Sequence, residues 1–505
     1  GALAGAALEN GIASIQLLDA YYARVIGFTL WQAGLSAILS AGLAVPVARA
    51  LARQSGFAGR TQLLWLFALP LALPGLVVVL GVLGVWGKHG WVMALARWFG
   101  LDPGFSVFGL TGILLAHVFF NMPLAVRLIL GRLDSVPVET WRLADQLGLG
   151  PRALFFLVEW PVIRAVLGGV AGLVFMLCLA SFTVVLTLGG GPAATTIEVA
   201  IYQALRFDFD PAKAVFLALI QLAITVFVLL ALRTARTGMA LAAPVRLKGV
   251  RRDGGRPVAR WLDGIVIFFA GGFLVLPLAA LLADGIAGQP WRLLLQHDVQ
   301  QALVTSLVIA FCATLLSLFL CWSLIRAGQV YGRLFSLPGE LSASATLVMP
   351  PVLLGAGWFV LLYRLGDVFA MAGPVVIVIN ALMALPFVYR VLAPAMAQSA
   401  QANERLCASL GLAGLARWKY VDWPVLRRPL AVAGSFAMAM SLGDLGAIAL
   451  FGSQDLITLP LLLFQRLGSY RSADAAGLAL LLGLLCLGII YSAGRLAPGE
   501  RGISA

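Results

Sequence analysis

The chain has 505 residues, 61% of them hydrophobic and only 11% charged, with Lys and Arg outnumbering Asp and Glu by 35 to 22. No soluble chain of this length could bury so much apolar surface, and the mean hydropathy of +0.98 assigns it to a membrane. The net charge of +13 is therefore read through the positive-inside rule rather than as a nucleic-acid footprint. Five cysteines and three histidines without pairing or ligand spacing support neither a disulfide framework nor a zinc site.

Apolar runs long enough to cross a hydrocarbon core of about 30 Å lie at 25–51, 63–85, 108–130, 166–188 and 214–232, then at 265–282, 303–325, 343–362, 375–392, 430–451 and 475–491. This predicts an all-α integral membrane protein with eleven spans. Pro46, Pro70, Pro74, Pro350 and Pro351 fall inside or beside these runs and read as kinks, because neighbouring helices can satisfy the backbone groups a proline frees. With the loop after the first run in the cytosol, most Lys and Arg residues fall on cytosolic sides, which sets the orientation. The segment 233–262, rich in basic residues with several Gly and Pro, reads as an irregular cytosolic linker between two halves, 1–232 and 263–505.

Internal repetition is the strongest organisational signal. At a spacing of 263 positions Pro123 matches Pro386, Arg142-Leu143 matches Arg405-Leu406, Leu147-Gly148-Leu149 matches Leu410-Gly411-Leu412, Trp160-Pro161-Val162 matches Trp423-Pro424-Val425, and Gly189 matches Gly452. An even number of spans separates the two copies of the basic loop, so both loops lie on one membrane face and the halves are parallel repeats. The second half opens with the run 265–282, which has no counterpart in the first. Symmetry therefore predicts a twelfth span, of which residues 1–8 read as the remainder, with the true N-terminus expected further upstream.

The duplicated loops, 135–164 and 399–428, each read as two short amphipathic helices broken at Gly148 or Gly411, where glycine permits a left-handed turn. Ser135, with Pro137 and Glu139, marks one helix start, and Asn403 with Glu404 the other. Pro161 and Pro424 fix where the following transmembrane helix begins. Each loop is thus a compact cytosolic knob.

The pattern of a small residue, three positions, Leu-Gly, then Pro thirteen residues later, present as Ala144, Gly148, Pro161 and as Ala408 or Cys407, Gly411, Pro424, resembles the coupling loop of ATP-binding-cassette importer permeases. The acid of that family pattern is replaced by Arg142 and Arg405. The stretches "GLTGILLAHVFFNMPLAVRLIL", "FMLCLASFTVVLTLGGGPAATTIEVAIYQALRFDFDPAKA" and "GSYRSADAAGLALLL" are similar to the fused permease subunits of bacterial thiamine importers. "SLGDLGAIALFG" is similar to a segment shared with iron(III), sulfate and molybdate permeases. The resemblance implies two fused six-helix halves in the bacterial inner membrane. It implies two copies of a cytosolic ATPase docked on Arg142, Leu143, Ala144, Gly148 and Pro161 and on Arg405, Leu406, Ala408, Gly411 and Pro424. It also implies a periplasmic thiamine-binding protein on the outer face, and ATP and Mg held by the ATPase, with no cofactor on this chain.

The residues agree. Gly87-Lys88 is followed by His89 and lacks a glycine five positions upstream of Gly87, so it cannot be a phosphate-cradling loop. The runs carry almost no acids, which argues against an ion-coupled carrier. Asp444 is the clear exception: it either lines the pathway and attracts a cation or caps a helix break between Gly443 and Gly446. Its counterpart is Ser181, followed by Phe182, so a central site would be asymmetric. The loops after these positions suit short helices at the outer surface, where Glu198, Asp208 and Asp210 either meet a partner or are merely solvated. Trp31, Trp86, Trp91, Trp98, Trp291 and Trp358 read as interfacial belts or, alternatively, as a cation cage.

Overall fold

The structure, a computed structural model, describes residues 20–100, 104, 106–234, 253–255, 257–331, 350–365, 371–412, 414–453 and 456–495. Among the described residues there are helices and no strands. Ten helices are long and apolar enough to cross a membrane and a shorter apolar one covers Pro351–Leu362, in agreement with eleven apolar runs. The expected twelfth span falls outside the described residues.

In chain order the first half comprises α1 (Ala20–Arg53), α2 (Arg60–Leu66), α3 (Leu69–Ala72), α4 (Gly75–Trp86), α5 (Trp91–Trp98) and α6 (Leu110–Leu133). It continues through α7 (Val138–Gln146), α8 (Trp160–Leu179), α9 (Phe182–Leu188), α10 (Ile197–Arg206) and α11 (Pro211–Thr234). The second half runs through α12 (Pro257–Ala287), α13 (His297–Tyr331), α14 (Pro351–Leu365) and α15 (Ala372–Ser409) to α16 (Trp423–Leu442), α17 (Gly446–Phe451), α18 (Leu459–Gly468) and α19 (Ser472–Arg495). Packing repeats with the sequence: α1 lies against α6 and α8, and α13 against α15 and α16.

The prolines sort into two roles. Pro46 sits inside α1, a kink as read. Pro74 instead caps α4 after an extended Leu73, and Pro351 opens α14. The residue before a proline avoids the helical region, so the run 63–85 is not one span but three pieces, α2 to α4. The runs 166–188 and 430–451 are also interrupted: α8 stops at Leu179 and α16 at Leu442, and α9 and α17 leave as separate short helices. The linker 233–262 departs from expectation at its end, since α12 already begins at Pro257. Of its earlier residues 253–255 are described as a 3-10 turn, pinned by Gln54 Nε2 donating to the Gly254 carbonyl at 3.1 Å.

The short helices α10 and α18 are not surface elements. Burial covers most of their length, and the N-terminus of α10 is tied to α1 and that of α18 to α13. The Ile197 amide donates to Thr29 Oγ1 at 3.0 Å and the Leu459 amide to Ser306 Oγ at 2.8 Å, two bonds at matching places in the repeat. In a membrane the helix-end amides have no water to turn to, so these hydroxyls hold the short helices inside.

The halves meet where α12 crosses α4, and α10 crosses α14. A Cβ on Gly81 would lie 2.6 Å from the Pro277 carbonyl oxygen, and one on Gly84 2.9 Å from the Ala280 methyl; small residues let the backbones touch. Gly443 packs likewise on Pro74, where a Cβ would stand 2.9 Å from the proline ring. Gly81→Ala is therefore expected to cost about 1–3 kcal/mol, read as a lower thermal midpoint of the detergent-solubilised protein. An unchanged midpoint would show that this crossing is loose.

Candidate functional site

Both cytosolic knobs turn at the predicted glycines. Gly148 has φ +60° and Gly411 φ +64°, and around each the same bonds close the helix end: Leu149 N–H donates to the Ala144 carbonyl at 3.1 Å and Leu412 N–H to the Cys407 carbonyl at 2.9 Å. This is the six-to-one bond of a Schellman turn, which needs a left-handed residue. Beyond it, Pro151–Leu154 and Gly414–Arg417 form single helical turns, and each runs into a π-helical turn, Phe155–Glu159 and Trp418–Asp422. The π turns precede Trp160-Pro161 and Trp423-Pro424. The widened turn accommodates a proline ring that would otherwise press on the carbonyl four residues earlier.

Before the glycines the knobs differ. α7 is a separate helix capped by Pro137, whereas in the second half α15 runs unbroken from the membrane to Ser409. The position matching Pro137 is Ala400, which lets the helix continue, so Asn403 and Glu404 start nothing. Ser135 does not cap α7 either; its hydroxyl donates back to the Arg132 carbonyl at 2.8 Å. Ala144 is buried beside Trp141 and Leu154 in a small core of the knob. In the second knob the buried position is Cys407, and Ala408 is exposed, so Cys407 rather than Ala408 is the counterpart of Ala144.

On the outer side of the knobs Arg142 and Arg405 are exposed. Next to them Leu143 and Leu147 are 55% and 65% exposed, and Leu406 and Leu410 are 55% and 63% exposed. Two leucines and an arginine thus stand free at the same places of both loops, on the face that the basic residues assign to the cytosol. The exposed leucines therefore recur in register with the repeat, at positions 143 and 147 in one loop and 406 and 410 in the other.

The knobs are anchored differently. Arg49 of α1 donates to Glu159 at 2.5 Å and stacks over the Phe155 ring at 4.6 Å; the Glu159 side chain is wholly buried. In the second half Asp422 pairs within its own loop with Arg417 at 3.6 Å, and α13 reaches the knob through Trp322, edge-on to Trp418 at 4.7 Å.

The two helix breaks are also built differently. Ser181 Oγ is 2.8 Å from His117 Nε2, and His117 Nδ1 is 2.9 Å from Ser36 Oγ, a chain linking α1, α6 and the start of α9. At the matching break Asp444 Oδ1 accepts from the Gly446 amide at 3.1 Å and Oδ2 from the Ala447 amide at 3.0 Å. Asp444 is therefore a cap of α17, and it also lines a cavity of about 220 Å³ between the halves. Phe182 does not line this cavity; it is buried edge-on against Tyr202 at 5.4 Å. Sequence reasoning missed His117 and Asn380, which occupy matching places 263 positions apart. Asn380 donates to Ser441 Oγ at 2.8 Å. Polar residues recurring at one depth of two apolar runs were the available signal.

The outer acids are engaged or buried. Asp208 pairs with Lys213 at 2.9 Å and Asp210 accepts from the Lys213 amide at 3.0 Å. Glu198 is buried, with neither carboxylate oxygen hydrogen-bonded among the described residues. It cannot reach a docking protein. Trp31, Trp91, Trp98 and Trp291 are exposed, and no tryptophan lines the cavity beside Asp444, so these side chains fit interfacial belts.

Membrane-crossing helices in repeated order, over paired cytosolic knobs, define a multi-pass permease subunit of the inner membrane. No family model matches the chain. The thiamine transport system permease protein ThiP of Brucella abortus (strain 2308) is 48% identical over 99% of this chain and 93% of its own length. Its counterpart from Escherichia coli (strain K12) is 44% identical over 96% and 90%, and that from Haemophilus influenzae 38% over 94% and 88%. The chain belongs to the family of thiamine transport system permease proteins.

Proposed function

We propose that this chain is the permease of an ATP-binding-cassette importer that takes up thiamine or its phosphates from a periplasmic binding protein. The observation that carries this reading is the similarity to relatives of that name along almost the whole chain. The residues through Thr234 and those from Pro257 onward serve as the two halves, joined by 235–256. Two copies of a cytosolic ATPase dock on the knobs at 135–164 and 399–428 and hold the ATP and Mg.

The paired patches of Arg142, Leu143 and Leu147, and of Arg405, Leu406 and Leu410, supply the docking surface. Gly148 and Gly411 set its shape, and Pro161 and Pro424 pass its movement to α8 and α16. ATP-driven closure brings the knobs together and so biases an equilibrium between outward-open and inward-open states; rigid contact at the knobs is what gives the ATPase a different affinity for each state. The pathway runs between the halves past the breaks at Ser181 and Asp444.

Growth tests this reading. A thiamine-requiring bacterium without its own importer should grow on nanomolar thiamine when given this chain with its neighbouring ATPase and binding protein. Growth that still requires micromolar thiamine would count against the substrate.

A further inference from the structure

We propose that the cavity beside Asp444 is a binding station for an organic cation on its way between the halves. The inference deepens the transport reading and rests on it for the identity of the cargo, but not for the charge preference of the cavity.

The walls come from both halves. Leu73 and Pro74, at the break before α4, form one side, and Phe436, Met440 and Asp444 form the other, with Ile490 of α19 closing it. Asp444 is the sole ionisable residue of this lining. Its two amide bonds fix the carboxylate in place and leave each oxygen with a further lone pair. No ion pair of Asp444 occurs among the described residues, although an acid at this depth is costly without a cation. A passing cation supplies the missing charge.

The remaining walls suit a flat aromatic cation. Among the lining residues Phe436 supplies an aromatic ring, a group capable of cation–π contact, and Met440 a polarisable thioether, while Pro74 and Leu73 bring apolar surface. Thiamine, with a permanently charged thiazolium ring, has this chemistry. Because Gly443 packs directly on Pro74, any rotation of one half against the other reshapes the cavity, so that cations are held in one state and released in the other. The station is single: the matching position in the first half is Ser181, a neutral hydroxyl engaged by His117.

The test uses the complete importer in proteoliposomes, with the native cysteines replaced and Met440→Cys introduced. Modification rates are measured with a trimethylammonium methanethiosulfonate and with a neutral methanethiosulfonate of similar size. The ratio of cationic to neutral rate should fall about tenfold or more when Asp444→Asn is added, the range expected of a charged cleft, and thiamine should slow the cationic reagent while Asp444 is present. Asn keeps an acceptor for the cap; Asp444→Ser, which copies the first half, provides a second variant should the first not assemble. An equal ratio with and without the carboxylate would overturn the station. Failure of the importer to take up thiamine would overturn the cargo instead, and the reagent ratio would still decide on the cavity.

Discussion

Replacing Gly148 and Gly411 together by Val is expected to reduce ATP-driven uptake at least tenfold while the chain still inserts in the membrane. Nothing lies within 4 Å of a Cβ at either glycine, so the effect does not come from crowding. It comes from φ +60° and +64°, a conformation that costs an L residue about 1–2 kcal/mol and a β-branched one more. The strain opens the Schellman bonds from Leu149 and Leu412 and moves the exposed leucines that the ATPase meets. About 1.4 kcal/mol is a factor of ten in the population of the docked shape. Gly148→Asn with Gly411→Asn should retain most activity, because asparagine tolerates the left-handed region. Uptake and hydrolysis measured on the same vesicles decide the matter; full uptake in the valine pair would remove the knobs from the coupling path.

Arg49→Met carries the second large effect. It takes the guanidinium, itself 22% exposed, away from a carboxylate whose side chain is 0% exposed, and losing a charged hydrogen bond to such a group costs about 1–3 kcal/mol. That is an appreciable part of the about 5–15 kcal/mol that holds a domain together. The cation–π contact with Phe155 is lost as well. The expected result is a fall in the thermal midpoint, with recovery when Glu159→Leu is added, since an apolar pair of similar volume replaces a buried ion pair at little cost. Arg417→Met in the second half should cost less, because its pair is longer at 3.6 Å and local and Trp322 still holds the knob. Equal losses at the two positions would contradict the different anchoring of the knobs.

The structure bears out what depends on composition and spacing. Eleven apolar helices follow from hydropathy summed over about twenty residues, and the left-handed glycines follow from a repeat with a chemical reason at Gly148 and Gly411. The interruption at Ala180-Ser181 escaped because a sum over about twenty residues is blind to it, whereas a break at Gly443-Asp444 was one of the two readings of the acid there. Pro74 and Pro351 read as kinks because proline is compatible with both a kinked helix and a helix start, and only Leu73 in extended conformation separates the two. Single substitutions also mattered. Ala400 in place of a proline let α15 run through to the second knob, and Cys407 rather than Ala408 took the buried place.

At Asp444 sequence reasoning offered two roles, pathway acid or cap. The geometry shows the cap, and the cavity at its side makes the two roles compatible. Phe182 and Glu198 were placed toward solvent or cargo by their neighbours in sequence, yet both are buried, because the chain turns inward after α8 and carries α9 and α10 into the interior.

The most direct measurement is uptake of radiolabelled thiamine into proteoliposomes holding this chain, its neighbouring ATPase and its binding protein, with ATP supplied on the ATPase side. Accumulation that requires ATP, and that stops when either the ATPase or the binding protein is left out, is the predicted result. Accumulation driven by an ion gradient without ATP, or thiamine uptake that persists without the ATPase, would contradict the account.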